Sequence, residues 1–425
     1  MVDEQLELTG VVDWDWTFEA PLPAVVQFPW FLADVPGWHN DGTSPGETFH
    51  NNRDYLVQAV RVRELSKTRS DKFSVLLASA RQRQIFQSAI NFRDVHKEFV
   101  SSNGEFQSRR HHDLVQAYKF RIDEVNDEFN AVLEVNPDAE DIAANLDKER
   151  DNNKLRGPLH GIPVLLEDNI YTDHRTSTSA GSYALLGSKP AREATVARKL
   201  CESGAILLGK VNLSEWANFR SGSENGNNGW SARGGQTFGA FDPGTDPDGS
   251  SSESAVSSIL GLCLAAIGTE TDGSIVCPAQ RSSVVGVAPT TGLVARDGII
   301  PLSSRQDTVG PLARTVKDAA HLLTAISGQS IYDDATDNIP FDSVPNYAEA
   351  CEGSRLDGLR LGVPRDALKL VDSVVMNAFE RALDILRSSG AVIVDNIRFA
   401  GADEWNAWTG SSRRACVQAE FKQSI

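Results

Sequence analysis

Hydrophobic positions follow two rhythms along this chain, and the change from one to the other divides it. Between 112 and 135, Leu114, Val115, Tyr118, Ile122, Val125 and Phe129 recur at helical spacing, which predicts one amphipathic helix ended by Asn136-Pro-Asp. Residues 139–151 predict a second, polar-faced helix. From 157 onward, short continuous apolar runs take over: Ile162-Pro-Val-Leu-Leu166, Ala205-Ile-Leu-Leu-Gly209, Leu359-Arg-Leu-Gly-Val-Pro364 and Ala391-Val-Ile-Val-Asp395. Their length and flanking Gly, Pro and Asp predict buried strands. Helical patterns at 194–204, 255–264, 316–327 and 372–388 separate them. This helix–Gly–strand alternation is the mark of βαβ units and predicts an α/β fold. The first 105 residues differ. An apolar run at 8–16 predicts a strand opening into an aromatic, Pro-rich loop. Helices are expected at 54–66 and 71–99, the latter with Phe73, Leu76, Leu77, Ala80, Ile85, Ile90 and Phe92 on one face. The expected organisation is a mainly helical appendage over 1–105 and an α/β region over 106–425.

Composition narrows the function. A chain of 425 residues, 40% hydrophobic and 23% charged, is expected to be soluble and globular. Its formal net charge of −17 argues against general affinity for nucleic acid or an anionic membrane. Cys201, Cys263, Cys277, Cys351 and Cys416 form no metal-binding spacing, and their odd number suits a reducing compartment. The acidic start, Met1-Val-Asp-Glu, is no signal peptide. The longest apolar run, 259–267, is too short to span a bilayer. A cytoplasmic enzyme without cofactor or metal is expected.

The chemistry lies between 157 and 315. Residue 167 falls at the end of the 162–166 strand, a favoured location for site residues in α/β folds. Gly249-Ser-Ser-Ser-Glu-Ser254 precedes an apolar helix, and Ser250-x-x-Glu253 has the form of a capping box. Gly268-Thr-Glu-Thr-Asp-Gly-Ser-Ile275 is a second serine loop; in isolation its Asp-Gly-Ser would be a plain turn. The order and spacing of these segments, together with Gly157–Asn169, Lys210–Trp216 and Val285-Gly-Val-Ala-Pro-Thr290, resemble the amidase signature family. That resemblance implies a mixed, largely parallel sheet wrapped by helices. It implies hydrolysis of the C–N bond of a small-molecule amide through an acyl-enzyme on Ser274. Ser250, 24 positions earlier (274 − 250), matches the bridging serine. The backbone N–H groups of Thr271, Asp272, Gly273 and Ser274 match the oxyanion hole.

Several positions depart from the family. Its buried lysine, which takes a proton from the nucleophile through the bridging serine in a variant of triad logic, is Glu167 here. An exposed Glu titrates near 4.3 and is a weak base at neutrality, while burial would favour its protonated form, which accepts no proton. Asp248 and Glu253 stand where the family has Gly, adding carboxylates beside a site that must hold a developing oxyanion. Ala288 stands where the family usually has Lys. Impaired turnover is therefore expected, the alternative being a catalytically inactive relative that at most binds. His160 and His174 are read as structural, and His111-His112 as an exposed helix start. Over 1–105, Gly10-Val-Val-Asp-Trp14 and the aromatic loop after it resemble the C-terminal tail of an aminoglycoside-phosphotransferase-like domain. That resemblance implies that Asp13 matches a magnesium ligand. No nucleotide-binding lobe or His-Gly-Asp loop accompanies it, and phosphoryl transfer needs both phosphate cradle and acceptor positioning, so none is expected.

Overall fold

The computed structural model describes residues 110–220, 228–242, 244–352, 356–369, 371–398, 403 and 410–424. The expected elements at 8–16, 54–66 and 71–99, Asp13, and the boundary near 105 lie outside these residues. The described residues form two compact units, divided between Asn346 and Tyr347.

In the first unit, helix α1 (His111–Phe129) ends earlier than its pattern predicts, at Asn130 in the left-handed conformation. The residues beyond it form strand β1 (Val132–Val135). Val132 and Val135 continue the apolar spacing, but Asn130 accommodates positive φ more readily than most residues and turns the chain there. Helix α2 (Ala139–Asp151) has the expected bounds. Strand β2 (Pro163–Glu167), helix α3 (Thr195–Glu202) and strand β3 (Ile206–Val211) follow as a βαβ unit. A small hairpin, β4 (Trp230–Ser231) and β5 (Gly235–Gln236), leads to helix α4 (Ser252–Ile259). The helix expected over 255–264 is therefore shorter and displaced. Gly261 adopts φ +67° just past its end, and the remaining apolar residues enter strand β6 (Ala265–Glu270). An unbroken apolar run carries no period to separate helix from strand. Helix α5 (Val276–Arg281), strands β7 (Val285–Gly286) and β8 (Thr308–Ala313) and helix α6 (Val316–Ile326) complete the unit.

The sheet order is β1-β3-β2-β6-β8-β7. β3, β2 and β6 run parallel; β1 opposes β3, β8 opposes β6, and β7 opposes β8. Four of the six strands thus point one way, giving the mixed, largely parallel sheet expected. Period-two alternation sends side chains to opposite faces. Leu165, Ile206, Leu208, Val211 and Ala266 pack with α1, α2 and α4. Val164, Leu166, Leu207, Ala265 and Ile267 pack with α3 and α6. Both faces of the central strands are covered, which explains why they read as continuous apolar runs. Glu167, last in β2, falls by this alternation on the Leu165 face, toward α4.

The second unit contains one βαβ repeat. Strand β9 (Arg360–Val363) pairs in parallel with β10 (Val392–Asp395) across helix α7 (Ser373–Ser388), whose N-cap Asp372 accepts from the Val374 N–H at 2.7 Å. Helix α8 (Gly410–Ser424) follows.

Candidate active site

The sheet brings three segments together at the C-terminal ends of β2 and β6. Glu167 ends β2, the 271–274 turn leaves β6, and the 249–252 loop enters α4. Ser250 and Glu167 are fully buried, and Ser274 is 9% exposed. The Ser251 N–H donates to the Ser274 carbonyl at 3.0 Å, and Ser214 N–H to the Ser250 carbonyl at 3.1 Å. The two serine loops are thus tied to each other by main chain. The Gly249–Ser250 peptide is cis.

Glu167 engages Ser251, one residue past the expected bridging serine. The Ser251 hydroxyl donates to Glu167 Oε2 at 2.7 Å, and the Thr269 N–H donates to the same oxygen at 2.6 Å. Glu167 Oε1 and Ser250 Oγ have no hydrogen-bond partner among the described residues. Burial pushes the Glu167 carboxyl up to about 7, against the downward pull of the Ser251 and Thr269 bonds. Nothing in the sequence singled out Ser251, because three consecutive serines offer no local signal for which one a strand-end carboxylate will meet.

Glu253 deepens the electrostatic problem. It is fully buried on α4, and neither carboxyl oxygen has a donor among the described residues. The nearby Thr237 hydroxyl gives its proton to the Asn130 carbonyl at 2.7 Å. Burial pushes Glu253 up to about 8, and the Glu167 carboxyl adds to that. The expected capping box does not form: Ser251 is the N-cap, without a side-chain cap bond. Asp248 holds φ +60°, a region that Asp tolerates better than most residues but that glycine occupies without cost.

A buried lysine does lie one strand over. Lys210 is paired in register with Leu166 and so faces away from Glu167. Its ammonium donates to the Ile170 carbonyl and, at 2.9 Å, to Thr178 Oγ1. Burial pushes it down to about 8, opposed by Asp168. It is committed to the far face of the sheet, away from residue 167. Asp168, also buried, accepts from Ser179 Oγ at 2.5 Å and Gly181 N–H at 3.0 Å, and pairs with Arg233 at 3.2 Å. Burial raises its carboxyl, while Lys210 and these bonds lower it.

The 271–274 turn has an open face. None of the N–H groups of Thr271, Asp272, Gly273 and Ser274 donates to another described residue. Gly273 adopts φ +84°. Of the histidines, His160 is buried with Nε2 3.0 Å from the Leu146 carbonyl. His111 starts α1 as expected but is less exposed than its position suggested: its side chain is 11% exposed and its ring meets His160 edge-on. Neither approaches the serine loops through a described hydrogen bond. Among the described residues no group of three or more His, Cys, Asp or Glu is arranged to hold a metal, and no helix is long and apolar enough to cross a membrane.

Comparison with known proteins places these features in a wider context. The Amidase family model matches residues 113–405. A putative amidase of Arthroderma benhamiae is 50% identical over 294 residues, 69% of this chain and 49% of that protein. A probable amidase of Arabidopsis thaliana is 44% identical over 315 residues, 73% of this chain and 60% of that protein. The solved native peptide amidase of Stenotrophomonas maltophilia superposes with a TM-score of 0.70 at 44% identity, covering 78% of this chain and 66% of that one. The chain thus spans about half to three-fifths of the length of the two curated relatives.

Proposed function

This chain belongs to the Amidase family, and from that premise we propose that its site is built for acyl transfer from amide C–N bonds to Ser274, with turnover suppressed at Glu167. In the full reaction, Ser274 Oγ attacks the amide carbonyl while Ser250 carries its proton to the base position. The oxyanion is received by the N–H groups of the 271–274 turn. The amine leaves with a proton, and water then cleaves the acyl-serine ester.

The observation that carries the reading is the hydrogen-bonding of Glu167. Its Oε2 is taken by Ser251 and Thr269, while the Ser250 hydroxyl meets no acceptor among the described residues. Below about pH 7 the carboxyl holds a proton and cannot take another. Above that, no hydrogen bond among the described residues joins the carboxylate to the Ser250 hydroxyl. The proton route from Ser274 therefore lacks its last link, while the main-chain oxyanion site does not depend on residue 167.

The test is covalent labelling by a fluorophosphonate probe of the natural chain, Ser274→Ala and Glu167→Lys, with folding checked by circular dichroism. Lys at 167 brings an ammonium within electrostatic reach of the unpartnered Glu253, which favours its accommodation. A positioned base contributes about 10²–10⁴-fold, so Glu167→Lys should label faster by a factor in that range, and Ser274→Ala should not label. Natural and Glu167→Lys chains labelling equally fast would overturn suppression at Glu167. Folded chains that never label would overturn the acyl-transfer reading and leave a binding role.

Two further expectations remain part of this proposal. All five cysteines are free thiols, which supports a cytoplasmic setting. Residues 1–105 are read, on Gly10–Trp14, as a phosphotransferase-like fragment without nucleotide binding.

A further inference from the structure

We propose that Glu270 is a positioning residue that holds the 271–274 turn in its oxyanion-receiving shape. This rests on the acyl-transfer reading above and extends it to a residue outside the Ser250–Ser274–Glu167 set. Glu270 is the last residue of β6, and α5 begins at Val276. The five intervening residues must turn the chain while leaving four N–H groups without a partner among the described residues. Glu270 spans that gap: its Oε2 accepts from Ile275 N–H at 2.7 Å and from Val276 N–H at 3.0 Å. One carboxylate oxygen thus staples the exit of the turn to its entrance.

The other flank is fixed independently. Asp307, immediately before β8, accepts the Thr271 hydroxyl at 2.6 Å and takes the Leu302 and Ser303 N–H groups at 2.7 and 2.9 Å. The turn is therefore held at both ends by groups outside it. The N–H groups of Ile275 and Val276 are consumed by Glu270, and those of residues 271–274 are left for an incoming oxygen. Without the Glu270 bonds, the turn could relax so that its own carbonyls or Gly273 flexibility took up those donors. A charge-assisted bond to two N–H groups is stronger than a neutral one, which suits a turn that must stay open with its donors unsatisfied. Glu270 touches neither Ser274 Oγ nor Glu167 in any described hydrogen bond, so its effect is on shape.

The experiment compares Glu270→Ala and Glu270→Gln in the full chain. Gln keeps one acceptor oxygen, so it should rescue what Ala loses. Hydrogen exchange at the Ile275 and Val276 amides should accelerate about tenfold or more in Glu270→Ala, and much less in Glu270→Gln. In the Glu167→Lys background, fluorophosphonate labelling of Ser274 should fall about 10–100-fold with Glu270→Ala and less than about threefold with Glu270→Gln. Both effects are expected in chains whose thermal midpoints match their parents. Unchanged exchange in Glu270→Ala, or unchanged labelling at retained fold, overturns the proposal. Should the Glu167→Lys parent itself fail to label, the acyl-transfer reading falls, and the exchange result alone decides whether Glu270 holds the turn.

Discussion

Two buried carboxyls without counter-ions make stability fall as pH rises, and the size of the fall follows from the structure. Glu167 is raised from 4.5 to about 7 and Glu253 from 4.5 to about 8, both chiefly by burial. Below pH 4.5 both are protonated whether the chain is folded or not. As pH rises, the unfolded chain releases these protons first and the folded chain keeps them, so each unit of pH costs about 1.4 kcal/mol per carboxyl. Glu167 thereby removes about 3 kcal/mol between pH 4.5 and 7, and Glu253 about 5 kcal/mol between 4.5 and 8. Each ionisation makes the other harder, so the loss arrives in two steps belonging to the pair. The combined loss is comparable with the whole stability of an ordinary domain, about 5–15 kcal/mol. Lys210 works in the opposite sense, since its depressed value adds stability between about 8 and 10.5. Guanidinium unfolding should be followed by circular dichroism from pH 5 to 8 for the natural chain, Glu167→Gln, Glu253→Gln and the double variant. Relative to the double variant, the natural chain should lose several kcal/mol across that range. Taking the difference between profiles cancels Lys210 and all other titrations. Parallel profiles for the natural chain and the double variant would refute the argument.

Leu208→Ala, which empties a fully buried position between β3 and the α1 layer, should cost about 2–5 kcal/mol by chemical denaturation; a loss under about 1 kcal/mol would mean that the layer can collapse onto the gap. Arg233→Ala leaves Asp168 buried without its guanidinium and also removes the ion pair with Glu134. It should cost about 3–5 kcal/mol, and adding Asp168→Asn should recover part of that; a purely additive double variant would show that the two groups do not interact.

Much of the scaffold was legible because its strands are buried on both faces and its helices on one. The 162–166 run became β2, and the strand-end position inferred for residue 167 is where Glu167 sits. Helix 139–151 needed no revision. Errors fell where an apolar pattern continues through a change of element: Val132 and Val135 extended the α1 pattern, and Leu260–Leu264 joined α4 to β6. In both places one residue at positive φ, Asn130 or Gly261, decides the boundary. At the site, motif spacing named the two serine loops and the strand end. It could not name partners, because Glu167 meets Ser251 and Thr269 across 84 and 102 residues of chain. Glu270 lay inside a motif already read for its serine, so its neighbours drew attention away from its own carboxylate. Lys210 opens the 210–216 motif, which carries no sign of its burial, and Arg233 carried no local pattern distinguishing it from a surface cation.

The register of the central sheet also sets a timetable for synthesis. β2 pairs on one side with β3, some forty residues later, but on the other with β6, where Leu166 meets Ile267. At a translation rate of about 5–20 residues per second, β2 waits about 5–20 s for that partner. During this interval β1, α2, β2, α3 and β3 can assemble, but the β6 side of β2 is an open, apolar edge of the kind that recruits foreign strands. The residue at the tip of that edge is Glu167. Until β6 brings Thr269 alongside, its carboxylate lacks a partner and part of the burial that raises it in the finished fold, so it is expected to be charged, and a charged tip on an unpaired strand discourages intermolecular pairing. A glutamate that is costly to bury in the finished fold is thus expected to give the nascent sheet a measure of protection, which a lysine there would equally provide.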